Sequence, residues 1–514
     1  MRSICIPHTE LPGTSALFAD YLYRFDRVAR FYQHDPHDPE SIRRAAFAAA
    51  RQLPDERRQR LAAALRQTNG ESASLAQLEL PDTVAIVTGQ QVGLFSGPAY
   101  TIYKALTAAK LARQLTESGI RAVPVFWLAT EDHDFDEINH AWVFNTHQKA
   151  VRLNGQGAGR PGQPVGSIEI VNSPLDGLKE SLGGHLYADE VMELVSECYR
   201  PGRTYGQAFQ KLLSRLMAGY GLIFFDPLEP AIRELAAPML HAAFERREEL
   251  GRELHARGKE LEAAGYHAQV LVDEQTSLFF RLEDGQRTRM GRDEAAPENA
   301  AHLSPNALLR PVMQDYLLPT AAYIGGPAEL AYLAQSQVLY RALLGRMPVA
   351  VPRSGFTLLD ERAHTLMDHY NVTLTDCFHG EQLLRERIAA RLIPDTLEIT
   401  FQDVLGEVRN SLDRLQGELR NFDPTLGEAL SKSRAKIIYQ IEKNRRKAGR
   451  EALRRDTRVN EGAAHLSGLV FPERHLQERL FSILPFLAKH GFDLIDTLYE
   501  NVQRGCPDHL LLTI

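Results

Sequence analysis

Cysteine is scarce in this sequence: Cys5, Cys198, Cys377 and Cys506 are all that 514 residues contain. They are widely scattered with no CxxC pair, which argues against a disulfide framework and a cysteine-rich zinc site and points to reduced thiols in a cytoplasmic setting. Long apolar runs are missing too. Stretches such as VAIV and GLIFF fall far short of the roughly 20 residues a membrane-spanning helix needs. The opening MRSICIPHTELPG has no apolar signal region, so no membrane partner is expected. Nor does one sign of charge dominate. Against 59 Lys and Arg stand 66 Asp and Glu, a formal net charge of -7, which leaves room for a local basic patch but not for an overall nucleic-acid binder.

What is present is an ordinary globular composition, 44% hydrophobic and 24% charged, in a chain too long for one compact core. Two or three domains are expected. The first eighty residues read as helical and charged. A strand over 84–87, a Gly-rich turn, a helix over 98–118 and a strand over 123–128 then make a βαβ unit. Pro98 marks the helix start and Gly119 its end, with Ile102, Leu106, Ala109 and the stem of Arg113 as its apolar stripe. The unbroken apolar second strand suits a parallel sheet covered on both faces.

Residues 145–203, rich in Gly and turn residues, read as an insertion. A helix over 205–220 leads to a buried strand over 221–225. A second insertion at about 255–305 carries HAQVLV, SLFFRL and RTRMG, which look like short strands. MPVAVPRSG supplies one more strand. From about residue 380 the pattern changes: Leu405, Val408, Leu412, Leu415 and Leu419 form an a/d seam. Asp423-Pro424 suits a turn into a second long helix ending near Arg455, giving an antiparallel coiled-coil hairpin. Its returning arm, KNRRKAGREALRR, reads as a solvated face, with an anion or polynucleotide contact as the minority reading. The expected division is a core over 1–375, a hairpin over 376–460 and a helical C-terminal segment over 461–514.

Two segments carry most of the chemistry. TGQQVGLFSGPAY joins a buried strand to a helix N-terminus, where free N–H groups and the helix dipole suit phosphate or carboxylate. This segment has neither the GxxxxGK[ST] nor the GxGxxG fingerprint. Gln90, Gln91, Ser96, Gly97, Pro98 and Tyr100 are its ligand-facing candidates. Lys104, one turn in, is within reach of a phosphate or of solvent. TEDHDFDEINH ends the second strand, and five of its seven residues from Glu131 to Glu137 are acidic. Such density needs compensation by Mg²⁺, a substrate ammonium or helix-terminus donors. Glu131, Asp132, His133 and Asp134 are the catalytic candidates, His133 as general base or phosphate partner; alternatively Asp134 or Asp136 caps the next helix. No spacing matches a common zinc motif.

Further candidates are Asp226 at the end of GLIFFD and Arg310, Gln314, Gly325, Gly326 and Glu329 in RPVMQDYLLPTAAYIGGPAELAYLAQ. Gln477 and Arg479 in FPERHLQER are candidates for a second nucleotide site, although an interdomain salt-bridge cluster is the favoured reading there.

TGQQVGLFSGPAYTIYKA followed by VPVFWLATEDHDFDEINH resembles the cysteine-adding enzymes of bacillithiol biosynthesis. The likeness continues in order through YGLIFFDP, the IGGPAELAYLAQ segment, the coiled coil and FPERHLQER. The resemblance implies a Rossmann-like core akin to class I aminoacyl-tRNA synthetases and nucleotidylyltransferases, with connecting-peptide insertions and a coiled coil. It implies a ligase that joins L-cysteine to the amine of glucosaminyl-malate, with ATP or another adenine nucleotide activating the carboxylate. The HIGH and KMSKS signatures of the synthetase relatives are absent, and SGPAY stands where HIGH would. The alternative is a nucleotide- or RNA-binding module of the same fold without the chemistry. An exposed coiled coil suits a homodimer.

Overall fold

The computed structural model describes residues 2–514 apart from 274–275, 292, 456 and 503–506, so Cys506 lies outside the described residues. Its centre is a parallel sheet of five strands: β1 (Val84–Gln90), β2 (Ala122–Leu128), β3 (Ile223–Phe225), β4 (Thr320–Gly325) and β5 (Val349–Pro352). Their order across the sheet is β5-β4-β1-β2-β3, every pair parallel. The chain runs outward from β1 to β3, then crosses back to lay β4 on the other side of β1. That reversal opens a crevice beyond the carboxyl ends of β1 and β4, where such sheets bind ligands.

Burial on both faces explains the apolar strands. All seven residues of β2 are buried. Alternate side chains serve opposite layers: Phe126 and Leu128 pack with helix α1 (Tyr100–Glu117), whereas Val125 and Trp127 pack with α2 (Pro230–Glu245) and α3 (Pro327–Leu343). Arg113 leaves the expected stripe; it is largely exposed and pairs with Glu117 one turn on.

The insertions depart from the sequence reading in two ways. Residues 145–203 hold a strand, Ala150–Asn154, paired with His140–Phe144, but also two helices, Leu175–Leu182 and Ala188–Cys198. HAQVLV forms no strand. Side chains take its backbone instead: Gln335 accepts the Val270 N–H and donates to the Val270 carbonyl, and His255 contacts the Val272 carbonyl.

The hairpin consists of α4 (Asp395–Phe422) and α5 (Pro424–Arg455) with Asp423 between them. Arg445–Glu398 and Arg434–Asp413 ion pairs and the bond from Gln416 to Ser431 link the arms in antiparallel register. Leu415 is not on the seam: it is 47% exposed, and Gln416 faces the partner arm instead. Of α4, only Leu405 is fully buried.

The C-terminal segment ends in a strand, His509–Thr513, which pairs antiparallel with the N-terminal strand Arg2–Ile6 and parallel with Phe356–Leu359. The two ends of the described chain therefore close one small sheet beside the core.

Candidate functional site

The turn after β1 folds tightly. Phe95, Ser96 and Gly97 all have positive φ, and a Cβ on Gly93 would stand 3.1 Å from the Gly97 Cα. The C-terminal segment covers this turn. The Ala99 N–H donates to the Phe481 carbonyl at 2.7 Å, and the Ser482 hydroxyl donates to the Phe95 carbonyl. Ser96 is 1% exposed, and its hydroxyl donates to the Gly97 carbonyl. Ser96 and Gly97 are thus packed inside, while Pro98 and Tyr100 reach the surface in part.

Lys104 is buried, and its ammonium is fully engaged. It donates to the Gly89 carbonyl at 2.9 Å and to Gln90 Oε1 at 2.8 Å, and pairs with Glu329 Oε2 at 2.5 Å. Burial lowers its pKa and Glu329 opposes that effect. Glu329 also accepts from the Gly326 N–H and the Tyr323 hydroxyl. The pair ties the end of β1 to the start of α3 and so sets the width of the crevice. Arg310 stands behind it, bonded to Gln314 and to the Tyr332 hydroxyl, with its guanidinium 5.6 Å from the Trp127 ring. Gln314 itself is fully buried and donates to Asp315.

Tyr100 is where the sequence candidates meet. Its hydroxyl accepts from Gln90 at 3.1 Å, and Arg353 lies 5.2 Å from its ring. Burial raises its pKa; Glu329 and Glu137 add to this, and Arg353 and Arg479 oppose it. One side chain thus feels the acidic loop, the Gly325-Gly326 turn and the C-terminal segment. A small cavity beside it is lined by His8, Gly325, Gly326, Arg353, Glu478 and Arg479. Arg353 and Glu478 form a buried bidentate pair at 2.6 and 2.8 Å. Burial would raise the Glu478 carboxyl, but Arg353, His509 and the Phe356 N–H bring it down to about 2. Gln477 is buried and bridges the backbones of Leu358 and Leu469. A larger cavity against helix Arg247–Ala263, lined by Arg247, Arg252, His255, Lys259 and Phe279, contains none of the candidates.

The acidic loop divides by environment. Glu131 is buried, paired at 2.8 Å with Arg233, which also holds the carbonyls of Ala301 and Leu303. Asp134 caps the short helix Phe135–Ile138 by accepting the Glu137 N–H. Asp132 faces the crevice and accepts from Gln91 at 2.6 Å; Gln91 also reaches Glu137 at 3.3 Å. Desolvation pushes the Glu137 carboxyl up, with Asp132 and Asp134 adding to the effect. His133 is exposed at the rim and contacts Arg287. Asp226 lies under the loop, accepting the Thr130 hydroxyl and the Leu228 N–H, and burial pushes it up to about 6.

Sequence reasoning missed Arg233, Arg287 and Arg353. The first lies on a charged helix, and the other two in RTRMG and VPRSG, read only as strand signals. Glu137 was visible only as one member of an acidic run. Among the described residues, no group of three His, Cys, Asp or Glu side chains is placed to hold a metal ion. No helix among them is long and apolar enough to cross a membrane.

Fold and crevice together define an α/β protein with a Rossmann-like core and a coiled-coil appendage. Residues 1–297 and 293–354 match the family model "Bacillithiol biosynthesis BshC, N-terminal Rossmann-like domain", and residues 356–514 match its "C-terminal coiled-coil domain". Relatives bearing the name "Putative cysteine ligase BshC" include that of Solibacter usitatus, 51% identical over the whole of both chains. Those of Koribacter versatilis and Salinibacter ruber are 36% and 32% identical over 98% or more of each chain. The chain belongs to the bacillithiol biosynthesis BshC family.

Proposed function

We propose that this protein is a ligase that joins the carboxyl group of L-cysteine to the amine of glucosaminyl-malate, completing bacillithiol. The carrying observation is the family membership along the whole chain. The geometry supports it at Tyr100, which lies within electrostatic reach of the Glu137 carboxylate and of the Arg353 and Arg479 guanidiniums. An ammonium substrate must lose a proton before its nitrogen can attack. Glu137, raised by desolvation and by Asp132 and Asp134, suits that task, and Gln91 holds Glu137 and Asp132 together. Arg479 and Tyr100 suit the carboxylate ends of the two substrates. Asp132 and Gln90 complete the contact set.

An adenine nucleotide with Mg²⁺ would supply carboxylate activation. The turn at Ser96-Gly97 does not fit its phosphates. The Ala99 N–H is taken by Phe481, Ser96 is buried, and Lys104 has its donors engaged.

Purified protein given cysteine and glucosaminyl-malate, with and without ATP–Mg²⁺, is expected to yield bacillithiol by mass spectrometry. No product under either condition from folded protein rules the ligase out. Product without ATP keeps the amide chemistry and removes the nucleotide. The same reading includes a homodimer, supported by the exposed Leu415, Phe422 and Leu426 near the hairpin tip.

A further inference from the structure

His133 has one ring nitrogen already engaged. Its Nδ1 lies 3.1 Å from Arg287 Nη1, and a guanidinium carries only N–H groups there. Arg287 therefore donates to Nδ1, which favours the ring hydrogen on Nε2, against the pull of the Asp132 carboxylate, whose Oδ1 lies 3.4 Å from the same Nδ1. Among the described residues Nε2 has no protein partner, and the side chain is 39% exposed. Arg287 is not free to move aside. Its Nε donates to Ser304 Oγ at 2.9 Å, its Nη2 to the Pro305 carbonyl at 2.9 Å, and its guanidinium stacks 3.8 Å from the Phe280 ring centroid. Its backbone N–H donates to the Gly162 carbonyl at 2.7 Å, so both insertions meet behind this contact. Asp132 Oδ1 accepts the His133 backbone N–H at 2.7 Å and lies 3.6 Å from Arg287 Nη1, which holds the loop from the other side.

We infer that Arg287 is a positioning residue that favours the Nε2–H tautomer of His133, so that His133 serves the reaction as a hydrogen-bond donor to the acyl oxygen on which negative charge develops and not as a general base. The role in the reaction rests on the ligase reading; the tautomer does not. A base needs a vacant lone pair facing the substrate, and in this arrangement the lone pair faces Arg287. A donor aimed at oxygen instead stabilises the oxyanion formed when the amine attacks an activated cysteine acyl group, the activating group leaving with the acyl bond's electron pair as the amide forms and the amine proton passing to Glu137; there one donor accounts for roughly 10²- to 10³-fold in rate.

Two arms test this. In full-length protein labelled with ¹⁵N-histidine, the His133 resonances are identified by their loss in His133→Gln. Nδ1 is expected in the unprotonated range and Nε2 in the protonated range, with the other tautomer gaining population in Arg287→Met. A protonated Nδ1 in the unsubstituted protein overturns the inference. In the ligase assay, the side-chain amide of His133→Gln restores a donor near Nε2 but supplies no base. It should retain activity within about tenfold, whereas His133→Ala should lose on the order of 100-fold. Equal losses in both variants overturn the donor role. Should Arg287→Met fail to fold, the resonances of the unsubstituted protein and the Gln/Ala pair still decide. If the unsubstituted protein makes no product, the ligase reading fails while the NMR arm continues to report the tautomer.

Discussion

Glu131 and His133 stand on the same loop, yet burial gives them opposite roles. Glu131 is closed in with Arg233, and removing one partner of a buried ion pair strands the other charge. Glu131→Ala should therefore cost about 3–5 kcal/mol of stability, seen as a lower urea midpoint. Exposed at the rim, His133 can be changed to Ala with the midpoint unmoved. Glu137→Gln should reduce kcat by roughly 10²- to 10⁴-fold with an unchanged midpoint, the size of a lost general base. A Glu137→Gln enzyme as fast as the unsubstituted one would remove Glu137 from the chemistry. Asp226 carries a pH signature. Its folded pKa, about 6, lies above the ordinary 3.8, so the folded state holds the proton more tightly. Its contribution is present at low pH and lost as pH rises from about 4 to about 6. Thermal midpoints of Asp226→Asn should lack that decline, and parallel profiles for the two proteins would count against it.

Elements were legible wherever periodicity alone decides them. The apolar runs of β1, β2 and β3 and the helix between β1 and β2 could be read because a buried parallel strand needs nothing but apolar residues. The acidic loop and the Gly turns were visible as local signals for the same reason. Arg287 was not, because its meaning lies in contacts with His133, Ser304 and Pro305, and such contacts leave no mark on spacing. HAQVLV failed for a related reason: Gln335 and His255, far along the chain or on another helix, take its backbone groups. In the hairpin, the leucine repeat gave Leu415 to the seam, but a Gln one position later reaches Gly427 and Ser431. Leu405→Ala should cost roughly 2–5 kcal/mol as a buried truncation. Leu415→Lys should change stability by less than about 0.5 kcal/mol. If that face joins two copies, Leu415→Lys should shift the sedimentation coefficient toward the monomer, and an unchanged dimer would place the contact elsewhere.

At the scale of the whole molecule, the crevice is assembled from distant parts of the chain. Residue 353 pairs with residue 478, the Phe481 carbonyl takes the Ala99 N–H, and the chain's first strand rests on its last. Glu478 contributes to stability in acid. Its folded pKa, about 2, lies below the ordinary 4.5, so its contribution is full above 4.5 and disappears as pH falls toward 2.

The terminal sheet also sets an order of events in the cell. A ribosome makes residues 2–6 about five hundred residues before 509–513, so the strand Arg2–Ile6 waits through that stretch of synthesis for its partner. Until then Glu478 lacks its His509 neighbour. A nascent chain can hold a finished parallel sheet and still lack the finished crevice wall, so a protein truncated by even its last strand should fold in most of its parts while losing the site. The strands Arg2–Ile6 and His509–Thr513 lie side by side, so a short linker from Thr513 to Arg2 would join them and let the chain be reopened at the hairpin tip near Asp423. Such a permuted chain would begin in the coiled coil and make the Arg2–Ile6 and His509–Thr513 pairing local in sequence.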